Sequence, residues 1–191
     1  FAGITILYPG VSHARLMIEG FIASFVIGFL GTAGPRLMET PHFSRAELLL
    51  LLTLDLLSAG LHLGGANRAG DLSFSFCLVV FLFVLGRRFV RRRDSPPPNF
   101  ALVGLSLINA LIGTVLLALF ENEAYSVSYR IGSAFLQEGF PLLAILGVAP
   151  FMLPLLLNLS AMEELRTPSS NRMGGATLPL IVGLTIDATF V

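Results

Sequence analysis

Charge is scarce in this sequence. Only 13% of the 191 residues are charged and 54% are hydrophobic, whereas an average soluble domain has about 25% charged residues. The sequence has too few polar residues to cover the surface of a globular protein in water. This excludes an ordinary soluble enzyme and a disordered protein. The composition indicates a protein whose solvent is the lipid bilayer.

Lysine is absent, and cysteine nearly so. All 12 basic residues are arginine and the net charge is zero, so no overall field attracts DNA or acidic substrates. A single cysteine, Cys77, excludes a disulfide framework and a thiolate metal cluster. The motifs of soluble enzymes (Walker A, GxGxxG, HExxH, CxxC and GxSxG) are missing too. Enzymatic activity therefore stays unassigned, and a non-enzymatic role is favoured.

Long apolar runs are what the sequence does contain. They number about six, and each can cross a bilayer as a helix, with snorkelling flanks where the run is short. Strands would alternate in polarity, which these runs do not. We therefore predict an all-α, polytopic transmembrane bundle in a single domain, residues 1–191. The predicted helices cover residues 13–37, 46–63, 72–88, 100–120, 131–159 and 176–191. Because the last run is interrupted and no methionine opens the chain, we expect a fragment of a longer protein.

The arginines predict the orientation of the bundle. Residues 87–93 carry five of the 12 arginines, and cytoplasmic loops of membrane proteins hold an excess of basic residues. We therefore place residues 87–93 in the cytoplasm and the start of the chain outside. An alternative role for the same arginines is an anionic-lipid site.

Polar residues at membrane depth are costly, so each of them suggests a partner, a cofactor or a water path. In the first helix, small and polar residues share one stripe that we expect to face protein or cofactor. This stripe consists of His13, Met17, Gly20, Ser24 and Gly28. In the second helix, Asp55, Ser58 and His62 share a face. The fifth helix carries Gln137 and Glu138 shortly before Pro141.

The predicted orientation collects His13, His62, Gln137 and Glu138 in the outer half of the membrane. Two neutral imidazoles can ligate a haem iron or copper, so we predict His13 and His62 as its ligands. Glu138 is the predicted supporting carboxylate. Arg15 would pair with an anionic group such as a haem propionate or a lipid phosphate. The alternative is that both histidines are interfacial residues without a ligand.

Two blocks of sequence have a recognisable pattern. The first helix opens with residues 12–17 (SHARLM), continues through Gly20-Phe21 and closes in residues 31–36 (GTAGPR), and a later block is residues 137–140 (QEGF). These blocks resemble the NnrS family, polytopic bacterial membrane proteins whose early helix opens with a His-x-His-Glu-Met-like motif. Arg15 and Leu16 stand where that motif has its second histidine and its glutamate.

The resemblance implies a cofactor and a location. The NnrS family is associated with haem and copper and with bacterial responses to nitric oxide, so we expect haem or copper in a protein of the bacterial inner membrane. The first hypothesis is a haem- or copper-binding protein of nitric-oxide response or redox defence. The second is a non-catalytic accessory subunit that packs against a larger respiratory or photosynthetic membrane complex. A transporter is a weaker third, because no inverted repeat relates the two halves. The expected partners are the lipid bilayer and other membrane subunits, and no nucleic acid.

Overall fold

The computed structural model describes residues 10–93, 99–123 and 125–156, and this part of the chain is helical without strands. It holds five helices that are long and apolar enough to cross a membrane. They are α1 (Gly10–Leu37), α2 (Arg45–Leu63), α3 (Asn67–Val90), α4 (Phe100–Leu119) and α5, which is built from Val127–Ala134, Phe135–Gly139 and Phe140–Leu156. The predicted all-α membrane bundle is confirmed. The predicted sixth helix, 176–191, lies outside the described residues.

Side-chain caps explain where two of the helices begin. The Ser44 hydroxyl accepts a hydrogen bond from the Glu47 amide at 3.2 Å, and the Glu47 carboxylate accepts one from the Ser44 amide at 2.8 Å. This capping box starts α2. Ser126 accepts from the Tyr129 amide at 3.2 Å, so α5 begins at residue 127 rather than at the predicted residue 131.

The start of α3 differs from the prediction in a way that matters for the site. A turn at Gly64-Gly65, with a φ of 77° at Gly65, reverses the chain directly after α2. Glycine tolerates this left-handed conformation at no steric cost. Helix α3 therefore begins at Asn67 rather than at residue 72. As a consequence, Asp71 lies inside a membrane-spanning helix and not in a loop.

Two helices contain π-helical stretches. In α5 the stretch Phe135–Gly139 comes just before Pro141, which has no N–H to donate to the carbonyl four residues earlier. The wider turn accommodates that missing donor. In α1 the stretch Leu16–Ile22 contains Glu19. Such stretches are frequent at functional sites.

The helices pack in chain order, each against the next, and α3 is central. Phe74, Cys77 and Phe81 of α3 are wholly buried, so Cys77 is a small buried hydrophobe. Close approach of α4 and α5 depends on glycine, since a Cβ on Gly113 would come within 2.8 Å of the Gly132 carbonyl oxygen. Large apolar side chains of α2 are exposed along the helix, as suits a surface that faces lipid. They include Leu48, Leu49, Leu50, Leu52, Leu56 and Leu57.

The face that α1 buries is not the predicted stripe. Among the described residues, the stripe is exposed except at Gly20, which is half-buried. The buried face lies on the opposite side of the helix and includes Arg15, Glu19, Ala23, Val26 and Leu30. Two stripe residues nevertheless contact α2, since the Ser24 hydroxyl donates to the Asp55 carboxylate and a Cβ on Gly20 would lie 3.8 Å from Ala59. That the whole stripe faces protein or cofactor stays a prediction. Polarity alone did not reveal which charged residues of α1 have partners on α2 and α3.

Candidate metal centre

A buried polar cluster lies where α1 begins, α2 ends and α3 begins, at the end of the bundle opposite residues 87–93. We use the name polar cluster for Arg15, Glu19, Ser58, His62, Asn67 and Asp71. Its four ionisable side chains are almost fully buried, with exposed fractions of 2% for Arg15, 1% for Glu19, 1% for His62 and 0% for Asp71. Charged groups are rarely buried to this extent unless they pair or hold a ligand.

His62 is held by contacts at both ring nitrogens. Its Nδ1 lies 3.2 Å from the Asn67 Oδ1 atom, which also accepts a hydrogen bond from the Ser12 hydroxyl at 3.1 Å. Because an amide oxygen only accepts, Nδ1 carries the hydrogen in this arrangement. The Nε2 atom lies 3.0 Å from the Glu19 Oε2 atom. A neutral His62 therefore presents a lone pair to a carboxylate oxygen, and a proton or a cation between the two atoms satisfies both.

Close packing around His62 depends on Gly70. A Cβ added at Gly70 would come within 2.5 Å of the imidazole Cε1 atom, so the absence of a side chain lets the ring lie against the backbone of α3. Ser58 also contacts Gly70. Its hydroxyl lies 3.0 Å from the Gly70 carbonyl oxygen and 3.4 Å from Glu19 Oε2. One hydroxyl proton serves both acceptors, so Ser58 is only a weak partner for Glu19.

Arg15 and Asp71 form the second ionic contact of the polar cluster. The Arg15 Nε and Asp71 Oδ1 atoms are 2.8 Å apart, but the N–H is not aligned for a hydrogen bond, and the contact is an ion pair only. Arg15 Nη2, Asp71 Oδ2 and Glu19 Oε1 are buried without a hydrogen-bond partner among the described residues. Unsatisfied polar atoms of this kind are uncommon and call for an explanation.

The arrangement offers ligands for a metal ion. Glu19, His62 and Asp71 each supply one ligand atom, and these atoms lie within 4.8 Å of one another. If both carboxyls are ionised and His62 is neutral, the charges of Glu19 and Asp71 exceed that of Arg15 by one. One imidazole nitrogen and two carboxylate oxygens suit a divalent first-row ion. A haem does not fit at His62 in this arrangement, because the ring rests on Gly70 and both ring nitrogens already face protein groups.

The structure places the four predicted site residues in different surroundings. His62 and Arg15 belong to the polar cluster, where Arg15 faces Asp71. His13 is exposed on α1, and Glu138 is exposed on α5, which packs against α4 in the part of the chain that the structure describes. Neither residue is therefore brought to His62. The assignment of these four residues to a cofactor stays a prediction.

Sequence reasoning missed Glu19 and Asp71 as partners of His62. Asp71 was missed because the predicted third helix began after it. A signal for Glu19 was present, since Arg15 and Glu19 are four residues apart and share one face of an apolar helix. Two ionisable residues on such a face require partners on a neighbouring helix. The predicted shared face of Asp55, Ser58 and His62 is confirmed, because all three are buried on α2.

Comparison with protein families identified one match. The family model described as NnrS protein matches residues 2–188, nearly the whole chain. The match therefore spans all the helices that build the polar cluster and extends well beyond the two blocks that suggested the resemblance. Comparison with curated proteins and with solved structures found no significant match.

Proposed function

Because this chain belongs to the NnrS family, we propose that it is a membrane protein that binds copper in the polar cluster and acts in a bacterial response to nitric oxide. The association of the family with haem, copper and nitric oxide supports this choice of metal and response. The proposed location is the bacterial inner membrane, with the polar cluster in the outer half and residues 87–93 in the cytoplasm.

The observation that carries the proposal is the convergence of Glu19, His62 and Asp71. Their ligand atoms lie within 4.8 Å of one another, and carboxylate oxygens of both acidic residues have no hydrogen-bond partner in the described chain. A cation at this position would be coordinated by the Nε2 lone pair and by one oxygen of each carboxylate. Among divalent first-row ions, copper binds most strongly to a given set of nitrogen and oxygen ligands.

Residues around the three ligands have supporting roles in this proposal. Asn67 accepts the Nδ1 hydrogen of His62 and so directs Nε2 toward the metal position. Arg15 lies beside Asp71, and its positive charge partly compensates the negative charges of the two carboxylates in the membrane. Gly70 leaves room for the imidazole. A bound copper ion supplies one-electron chemistry and a position where a small molecule such as nitric oxide can coordinate.

Metal analysis of the detergent-purified protein tests the proposal. After loading with Cu²⁺ and removal of the excess, we expect about one copper ion per chain. His62→Ala and Glu19→Gln should lose this copper, because each removes one of the three ligands. His42→Ala is the matched control, since His42 is an exposed loop histidine and should leave the copper content unchanged.

A second measurement separates loss of a ligand from loss of the fold. A ligand that binds only the native state stabilises it by about 2.7 kcal/mol at roughly 100 times its Kd. The wild-type protein should therefore unfold at a higher temperature with Cu²⁺, and Glu19→Gln should show no such shift whatever its own stability. Copper that survives in His62→Ala but is lost in His13→Ala would contradict the proposed centre and favour the ligand predicted on α1.

A further inference from the structure

A partly open cavity lies between α1, α3 and α4, at the end of the bundle opposite the polar cluster. Its volume is about 460 Å³, within the range of about 300–1,000 Å³ that is usual for small-molecule sites. The walls are apolar and include Leu30, Leu85, Phe89 and Leu107. The occupant must therefore be apolar along most of its length.

Glycines open the wall of this cavity. Gly86 and Gly104 both line it, and a Cβ added at either position would meet no atom of the described residues within 4 Å. Side chains of the described residues therefore leave this space open. A helix of about 10 Å diameter needs roughly 400 Å³ for each turn, so the cavity is too small for a membrane-spanning helix and suits a thinner chain.

Arg92 is the charged residue among the described residues that line the cavity. Its guanidinium stacks 4.1 Å from the Phe89 ring centroid, and its Nη1 donates to the Phe89 carbonyl oxygen at 2.9 Å. These contacts hold the group in place, and its other N–H groups have no partner within the described residues. The neighbouring Arg88 is different, because it forms an ion pair with Glu47 at 2.8 Å.

We propose that this cavity binds one acyl chain of an anionic phospholipid whose phosphate is held by Arg92. An apolar cavity with an arginine in its lining matches a molecule that is apolar along its tail and negative at its head. The planar guanidinium can form two parallel hydrogen bonds to phosphate. Arg91 and Arg93 are exposed beside it and add to the positive potential. This site is separate from the proposed metal centre.

Native mass spectrometry of the full chain tests this proposal. The protein is reconstituted into nanodiscs of equal parts phosphatidylglycerol and phosphatidylcholine, and the lipids that it retains are counted after release. A basic residue near the headgroup contributes about 1 kcal/mol, or roughly fivefold in affinity. We therefore expect retention of phosphatidylglycerol over phosphatidylcholine, and a loss of about fivefold in Arg92→Gln.

Variants of the cavity wall provide the decisive comparison. Gly104→Leu places a side chain in the cavity and should abolish retention of phosphatidylglycerol, and Gly86→Leu should do the same if Gly104→Leu fails to fold. Gly60→Leu is the matched control, because Gly60 also has open space at its Cβ but does not line the cavity. Arg45→Gln is the corresponding control for charge.

Three outcomes would overturn the proposal. Equal retention of the two lipids by the wild-type protein would remove the role of the phosphate. Retention of neither lipid would mean that something else occupies the cavity. Undiminished retention in both Gly104→Leu and Gly86→Leu would place the bound lipid elsewhere. Copper binding should be the same in all of these variants, so the result is independent of the metal centre.

Discussion

Replacing one partner of the buried ion pair between Arg15 and Asp71 should strongly lower the free energy of unfolding of this protein. The two side chains are 2% and 0% exposed, and the Arg15 Nε and Asp71 Oδ1 atoms are 2.8 Å apart. Arg15→Met removes the cation and leaves Asp71 with only the more distant imidazole of His62, 3.9 Å away. Asp71→Leu leaves the guanidinium of Arg15 buried without a carboxylate partner.

The size of the effect follows from burial. At an effective dielectric constant of about 20, two unit charges at this separation attract each other by about 6 kcal/mol. Desolvation offsets most of this attraction, so replacing both residues with apolar ones should change the free energy of unfolding little. Asp71→Leu should cost about 3–5 kcal/mol, because Arg15 cannot lose its proton and its charge stays buried and uncompensated. Arg15→Met should cost less, because the buried Asp71 carboxyl can take up a proton.

A double-mutant cycle measures this coupling. The wild type, Arg15→Met, Asp71→Leu and the double variant are unfolded reversibly in mixed micelles, with a chelator present so that metal binding does not contribute. Arg88 and Glu47 form the matched control pair, since their nitrogen and oxygen atoms are also 2.8 Å apart but the side chains are 13% and 24% exposed. We expect a coupling of about 3 kcal/mol or more for the buried pair and a smaller coupling for the control, because its side chains are more accessible to water.

The outcome that would refute this reasoning is additivity. If the effects of Arg15→Met and Asp71→Leu add to within about 0.5 kcal/mol, the two side chains do not interact energetically. A coupling no larger than that of Arg88 with Glu47 would show instead that water reaches the polar cluster. Either result would also weaken the case for a charged metal centre in a water-poor environment.

Two glycine substitutions and one labelling experiment test other parts of the structure. Gly70→Ala should displace the His62 ring and lower both stability and copper content, whereas Gly60→Ala, which meets open space, should change neither. Gly113→Ala should cost about 1–3 kcal/mol in the free energy of unfolding through overpacking against α5, and a neutral result would contradict the close approach of α4 and α5. In intact cells, an impermeant thiol reagent should label Asn122→Cys but not His42→Cys, with no background from buried Cys77. The reverse pattern would invert the predicted orientation.

The positions of the helices were largely predictable, and the differences have local causes. The second and fourth helices were predicted to within one residue at each end. A long apolar run between polar loops forms a helix in a bilayer, because a helix satisfies all of its backbone hydrogen bonds internally. The third began earlier than predicted, because the glycine turn at residues 64–65 lets the chain re-enter a helix at once. The fifth began earlier because Ser126 provides a side-chain cap.

The polar cluster was predictable only in part. The shared face of Asp55, Ser58 and His62 follows from the helical period, which the sequence shows directly. The pairing of His62 with Glu19 does not, since it depends on how α1 is rotated about its axis. Sequence reasoning chose the side of α1 with small residues, and the structure buries the opposite side with its charged pair.

The sequence by itself determined that this chain is a helical membrane protein, that its arginines concentrate at one end, and that α2 carries a polar face. These properties depend on composition and on the helical period, which are local. Only the tertiary structure decided which polar residues meet. Glu19, His62 and Asp71 come from three helices, and their approach depends on helix rotation, on relative height in the membrane and on the space that Gly70 leaves. Those quantities are determined by packing between helices, for which a single sequence carries no local pattern.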